Sequence, residues 1–429
     1  MNINIEQGKT KRLNISVLKP GDIVLTTTSL PISKLIRTVT ASDISHAMLY
    51  VQNGSVIDAN SEGVHARNTQ RLFYSEDCAV YVLRLRNDIS STQLETVITY
   101  MRGHIGTEYS AIEASLSVIG GLNYLSKKQF CSRIVAQAFA TAGIALVKNP
   151  NYCSPNDLKT SPFLISVENP TIEIIDEEAA AWEGIDDAPQ IMRDAINIIL
   201  NGARKKDLSI QNFDDLHSYL IRNPEHDDYF CKLLETSNYL SLWKIDKQKN
   251  PWHYNLNLMS ASISSSTKNQ VEDYCWGVVK DQELGPSRYI VNRGGYLLFS
   301  RQYDLHFFHL MAELYDYLAE LHRIRVDVAI GWLEQNGHLP YSSPTHFIPH
   351  TPEWFTALEK WDPPKAMMVR TAIKLAGSAE VCSICGDDPA QDYRLEEALK
   401  PAGGVDTLRL CDTCVQIRKS YGDLYLPLS

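Results

Sequence analysis

Two residues far apart in the chain could together perform nucleophilic chemistry. They are His46 in Ser45-His46-Ala47-Met48-Leu49-Tyr50-Val51 and Cys131 in Gln129-Phe130-Cys131-Ser132-Arg133-Ile134-Val135. The apolar run around His46 predicts a strand, and Ile134, Val135, Ala138 and Phe139 predict a helix that Cys131 opens. A thiol at a helix N-terminus meets the positive end of the helix dipole, which lowers its pKa and favours the thiolate. An imidazole on a rigid strand can complete that activation and later return a proton to a leaving group.

The elements that must position this pair are legible around it. Leu18-Lys19-Pro20-Gly21-Asp22-Ile23-Val24-Leu25 reads as a turn feeding a short apolar strand. Gln52-Asn53-Gly54-Ser55 reads as a hairpin turn after the histidine strand. Pairing across so short a turn would carry Asp58, in the return strand Ser55–Asn60, close to His46. A carboxylate there could fix the imidazole tautomer and stabilise the imidazolium. Gly106-Thr107-Glu108-Tyr109 lies between the hairpin and the cysteine, and Ser154-Pro155-Asn156-Asp157-Leu158 follows the helix.

This succession, with Val56-Ile57-Asp58-Ala59 and Phe130-Cys131-Ser132-Arg133-Ile134-Val135, resembles the circularly permuted branch of the NlpC superfamily. Its YiiX-like papain-fold hydrolases are the closer match, and lecithin:retinol acyltransferase-type enzymes are more distant relatives. Histidine precedes cysteine here, the reverse of ordinary papain order. The resemblance spans roughly residues 1–165 and implies a permuted papain-like fold with Cys131 as nucleophile and His46 as general base and acid. The third polar position falls on Asp58, where YiiX-like members usually carry Glu, and Tyr109 matches a family tyrosine near the active site, a substrate-binding candidate. The oxyanion would meet the Cys131 amide and a further donor that the sequence does not identify.

Each residue also has a plain alternative. Taken alone, Cys131 is a small apolar residue on a buried helix, His46 a satisfied core histidine and Asp58 a solvated strand residue. Glu62, His65 and His104 have suitable chemistry but match no family position, and Cys78 and Cys153 read as structural thiols.

The far end of the chain carries a second signal. Cys382 and Cys385, then Cys411 and Cys414, form two C-x2-C knuckles. Four thiolates at this spacing suit tetrahedral zinc, and a site without histidine or an open position is structural rather than catalytic. Such a metal would fold an end too small to bury its own core. A pair of redox dithiols and unrelated free cysteines are the alternatives.

At 429 residues the chain should hold two or three domains, and 44% hydrophobic with 21% charged residues is ordinary globular composition. The expected class is α+β, divided as a permuted papain-like catalytic domain (1–167), an acidic linker (168–190), a mainly helical domain (191–337), a Pro- and aromatic-rich connection (338–375) and a zinc-binding module (376–429). Within the helical part, residues 307–332 carry an apolar stripe that reads as packing, and Ser262–Thr267 reads as a polar loop. Nine cysteines, four of them in knuckles, suit a reducing compartment, and residues 1–8 lack the features of a signal peptide. The expected location is cytoplasmic. A net charge of −10 without a concentrated basic face argues against nucleic acid, and no apolar run reaches the roughly 20 residues of an integral membrane segment.

The expected function is a cysteine-dependent hydrolase acting on an amide- or peptide-type bond through a covalent acyl-enzyme. The alternatives are a lipid esterase or acyltransferase and a non-catalytic protein-interaction module. The zinc end is a possible surface for a protein partner.

Overall fold

A computed structural model describes residues 10–27, 42–52, 54–111, 113–114, 126–182, 184–261, 268–280, 287–338, 347–361, 363–395, 405–420 and 425–428. Asn53 of the hairpin, the loop expected at Ser262–Thr267 and residues 339–346 of the Pro-rich connection lie outside them. The chain divides into two compact units, residues 1–223 and 224–429.

The first unit is organised by a six-stranded antiparallel sheet in the order β5-β4-β3-β2-β7-β8. Its strands are β2 (Ile23–Thr26), β3 (His46–Gln52), β4 (Ser55–Asn60), β5 (Gly63–Asn68), β7 (Val80–Leu85) and β8 (Leu164–Ser166). A three-stranded sheet pairs β1 (Thr10–Leu13) with β6 (Tyr74–Ser75) on one side and β9 (Thr171–Ile174) on the other. Strand alternation gives the large sheet two apolar faces. Ala47, Leu49, Val51, Ile57 and Ala59 join Ile134, Val135, Ala138 and Phe139 of the Cys131–Thr141 helix in one core. Met48, Tyr50 and Val56 point the other way, into a second core with Leu13, Val24 and Val82.

Local chemistry sets the ends of these elements. The turn into β2 needs Gly21 at φ +91°, and the buried Asp22 carboxylate holds it by accepting from the Lys19 amide. Arg84 of β7 clamps the same carboxylate with two hydrogen bonds of 2.7 Å. After the cysteine helix, Ser154 and Asp157 form a reciprocal capping box at the start of the Pro155–Lys159 helix.

The expected acidic linker has structure of its own. Residues 171–174 are β9, paired in register with β1, and Asp176–Ala180 is a short helix. The helix Ala188–Arg204 lies in the first unit, with Ile196, Ile199, Leu200 and Ala203 buried. It holds the Gly106–Tyr109 segment through Arg204, whose Nη2 donates to the Gly106 carbonyl at 2.7 Å. Gly106, at φ +91°, leaves no room for a side chain, because a Cβ there would lie 2.2 Å from Leu200. Periodicity reveals the apolar stripe of this helix but not the surface on which it docks.

The second unit is mainly helical, with the pair Ser287–Tyr303 and His306–Gln335 packed along each other. Met259, Cys275, Val279, Ala329, Trp332 and Leu333 form one of its cores. The Pro-rich connection contributes two helices, Pro352–Trp361 and Pro363–Ala376, each with proline at its first position, where its missing N–H costs nothing. Trp354 is buried and donates to the Thr407 carbonyl at 2.9 Å. That bond joins the connection to a small sheet of β10 (Gln391–Leu395), β11 (Thr407–Leu410) and β12 (Tyr425–Pro427), in the order β11-β10-β12. Among the described residues no helix is long and apolar enough to cross a membrane.

If the Ala188–Arg204 helix is integral to the first unit, Leu200→Ala will cost about 2–5 kcal/mol, as for other fully buried leucines. Amide protection will also fall in β5 and residues 106–109. Urea denaturation with hydrogen exchange checks this, and an unchanged stability would mean the helix is only loosely docked.

Candidate active site

The β3–β4 hairpin fixes the first half of the site. Gly54 takes φ +69° at the turn, and the ladder sets Met48 opposite Asp58. His46 is then two residues from Asp58's partner, on the same face and within diagonal reach. The imidazole Nε2 and the Asp58 Oδ2 are 2.6 Å apart. Asp58 is completely buried, and Arg67 Nη1 donates to the same Oδ2 at 3.3 Å.

The second half is the N-terminus of the Cys131–Thr141 helix. Phe130 occupies the cap position in an extended conformation and offers no side-chain acceptor. The first-turn amides are thus left to face whatever charge develops at Cys131. Cys131 lies beside His46 and the backbone N–H groups of Ala47 and Ser132, each of which lowers the pKa of its thiol. With Nε2 held by Asp58, Nδ1 is the ring nitrogen available to the sulfur.

The electrostatics follow from this chain of contacts. Burial works against charge on Cys131. It is outweighed by the bond to His46, the charge of His46 and the two amides, so the thiol pKa lies below its ordinary value. Burial also opposes a charged His46, but the hydrogen bonds and charges of Asp58 and Cys131 raise its pKa to about 10. Asp58 resists the same desolvation through its bond to His46 and the charges of His46, Arg67 and His65, which hold its carboxyl far below the usual range. Cys153 is the useful contrast. It is equally buried, and desolvation with the nearby charges of Asp157 and Cys131 pushes its thiol up. The two shifts run in opposite senses, the thiol made more acidic and the imidazole more basic.

Tyr109 reaches the same neighbourhood through backbone pairing. The Val64 amide donates to the Thr107 carbonyl and the Gly106 amide to the Val64 carbonyl, so this segment extends the β5 edge. Tyr109 then bridges Gln129, two residues before the cysteine. Its hydroxyl pKa is raised by burial and by the charge of Cys131.

Sequence reasoning gave no role to several residues that build this site. Arg133 is fully buried, with Nη1 2.9 Å from Glu113 and 3.0 Å from the Lys128 carbonyl, and Nε 2.8 Å from the Asn151 carbonyl. Its guanidinium lies over the rings of Phe130 and Tyr152. Glu113 also accepts from the Ser126 amide and hydroxyl; against the cost of burial, these bonds and Arg133 lower its pKa to about 2. The pair thus pins residues 126–130 just ahead of Cys131. The available signal was Arg133 two residues into an apolar helix, where a charge must have a partner.

In the second unit, Cys382, Cys385, Cys411 and Cys414 converge, their sulfurs all within 4.8 Å of one another. Zn–S bonds of about 2.3 Å in a tetrahedron imply S···S separations near ~3.8 Å, and Cys385 and Cys411 are 3.5 Å apart. Gly386, at φ +81°, turns the first knuckle, and its amide donates to the Cys382 carbonyl at 3.0 Å. Cys411 immediately precedes the Asp412–Ser420 helix, in which Cys414 lies. The four cysteines could hold a metal ion.

Comparison with known proteins agrees with this fold. Residues 17–161 match the family described as permuted papain-like amidase enzyme, YaeF/YiiX, C92 family. The permuted papain-like resemblance of the N-terminal part is thereby borne out, and the family is one of papain-like hydrolases of the amidase type. A similar solved structure is the metalloprotein yiiX from Escherichia coli O157:H7. It is 19% identical, covers 35% of this chain and 97% of that chain, and has a TM-score of 0.28. No curated protein matches the chain.

Removing Glu113 would leave the Arg133 guanidinium buried without its carboxylate. Glu113→Ala is expected to cost about 3–5 kcal/mol in chemical denaturation, whereas Lys127→Ala, which breaks an exposed pair with Asp215, is expected to cost under about 1 kcal/mol.

Proposed function

We propose that the first unit is a cysteine-dependent hydrolase of amide- or peptide-type bonds. The observation that carries this is the buried path from Cys131 through His46 to Asp58, with the His46 Nε2 2.6 Å from the Asp58 Oδ2 and the thiol at the open end of a helix. Cys131 is the nucleophile. Its thiolate attacks the carbonyl carbon of the substrate, and the negative charge moves to the carbonyl oxygen, facing the first-turn amides of the helix. Collapse of that intermediate breaks the C–N bond while His46 gives its proton to the departing amine, leaving a thioester on Cys131. Water then attacks the thioester with His46 taking its proton, and the carboxylic acid leaves. Asp58 keeps His46 oriented throughout and stabilises its imidazolium whenever the ring holds the proton. Tyr109, whose hydroxyl feels the charge of Cys131 and whose backbone bridges Gln129, is the substrate-binding residue.

In the same reading, Cys382, Cys385, Cys411 and Cys414 bind a structural Zn2+ in the second unit, closed to substrate by four protein ligands. Ordered by that metal, the module offers a surface for a protein partner. The cytoplasm, where thiols stay reduced, is the proposed setting.

The acyl-enzyme is testable by intact mass. Rapid-quench incubation with a panel of peptide amides and acyl-chain esters should give a mass increase equal to the acyl group on Cys131, absent in Cys131→Ala. Adduct formation from peptide amides supports the amidase reading. Adducts from acyl-chain esters alone would replace it with a lipid acyl-transfer reading, and none from either class would count against catalysis. Independently, about one zinc per chain should be recovered from purified protein, and Cys411→Ser should reduce the zinc content and lower the melting temperature of the second unit.

A further inference from the structure

A polar cavity of about 140 Å³ lies beside the catalytic carboxylate, within the first unit. Strand β5 lines it with His65 and Arg67, and the turn after that strand adds Arg71. Glu62 enters from the β4–β5 turn, and Asp187 and Arg193 from the start of the Ala188–Arg204 helix.

Most of the charge in this lining is already matched. Arg193 Nη1 donates to Glu62 at 2.7 Å. Arg71 Nη2 donates to the carbonyls of Ile185 and Asp186 at 2.7 and 3.1 Å, with its Nε 3.9 Å from Asp187. Arg67 is the exception. Its Nη1 donates to the buried Asp58 at 3.3 Å, and among the described residues its guanidinium makes no second hydrogen bond or ion pair. A guanidinium carries five N–H donors in a fixed plane. The remaining donors of Arg67 are open to the cavity, where the side chain is 36% exposed.

Shape and charge together select a ligand. An edge of a guanidinium pairs with a carboxylate through two parallel N–H···O bonds. Glu62 and Asp187 stand beside it and would repel a doubly charged anion more strongly than a singly charged carboxylate. The cavity is also tied to the catalytic residues, because Arg67 touches the Asp58 Oδ2 that lies 2.6 Å from His46 Nε2. Continued across the imidazole, that path sets the guanidinium within about three extended residues of the Cys131 thiol.

We propose that Arg67 anchors a carboxylate subsite, which holds a free carboxylate of the substrate about three residues from the bond that Cys131 attacks. The inference rests on the hydrolase reading above and names its substrate class: peptides that carry a free carboxylate, rather than capped or uncharged chains. Arg67 keeps Nη1 on Asp58 while its other donors take the ligand, so one side chain serves both the catalytic carboxylate and substrate recognition.

The test is binding without turnover, measured by isothermal titration calorimetry on full-length Cys131→Ala with acetyl-trialanine and its C-terminal amide. The two probes differ only in whether the terminus is a carboxylate. The acid should bind about ten-fold or more tightly than the amide, as a charge-assisted hydrogen bond implies. Adding Arg67→Gln should bring the acid down to the affinity of the amide, and Arg67→Lys, which keeps the charge but not the fork, should retain only part of the preference. Equal affinities for acid and amide, no saturable binding of the acid, or a preference that survives Arg67→Gln would overturn the subsite. So would a loss shared equally by both probes in Arg67→Gln, the mark of a purely structural arginine. Acetate that competes as strongly as acetyl-trialanine would assign the cavity to free small acids and overturn its link to the substrate. The outcome is separable from the acyl-enzyme test. A thioester formed from peptide amides without any preference for the acid removes this subsite alone. A preference that depends on Arg67, with no thioester from any substrate, keeps the carboxylate site and removes the hydrolase.

Discussion

The site depends on one buried negative charge. Asp58 is wholly removed from water, a position that would neutralise an isolated carboxyl. It stays ionised because His46 and Arg67 meet Oδ2, and because the charges of His46, Arg67 and His65 surround it. That charge raises His46 to about 10, and the charged imidazole in turn acidifies Cys131. Removing the carboxylate would undo each later step, since no other acid contacts the His46 ring among the described residues. The linkage has a definite sign. The stability contributed by Asp58 is present above its unfolded value of about 3.9 and is lost as pH falls through its depressed folded value. That contributed by His46 is present below about 6.5 and is lost as pH rises through about 10.

Around that charge the first unit acts as a frame. The hairpin register brings Asp58 within diagonal reach of His46, and the β4–β5 ladder adds His65 and Arg67 on the same face. The Arg133–Glu113 pair sets the chain entering the cysteine helix, and the Ala188–Arg204 helix secures the segment that carries Tyr109. Each support is a buried polar contact whose loss would leave a charge or carbonyl unmet. A site built this way tolerates little displacement, because its partners cannot exchange their contacts for water.

Much of this was legible in the sequence where chemistry and short range coincide. An Asn-Gly turn between two apolar runs fixes which residues face each other, so the proximity of Asp58 to His46 followed from counting along a hairpin. The two knuckles were as readable, because ligand spacing within each is local. Other motif residues serve the frame: Asp22 receives Arg84, and Ser154 with Asp157 caps a helix. What the sequence did not reveal depends on long-range register. Nothing local says that His65 pairs with Asp58, that Arg133 meets Glu113, or that an amphipathic helix after an acidic stretch docks on β5 instead of opening a new domain. Those placements need the third dimension because each partner satisfies the same local pattern wherever it packs.

The central claim is that Cys131 is a thiolate made by His46. The most direct measurement is the rate of iodoacetamide alkylation at each cysteine across pH, in wild type and His46→Ala. The account predicts that Cys131 reacts with a midpoint well below the free-thiol value of about 8.5, while Cys153 stays unreactive at the same pH. In His46→Ala the Cys131 midpoint should move up past that value. A Cys131 that is inert throughout, or whose profile is unchanged without His46, would contradict the account.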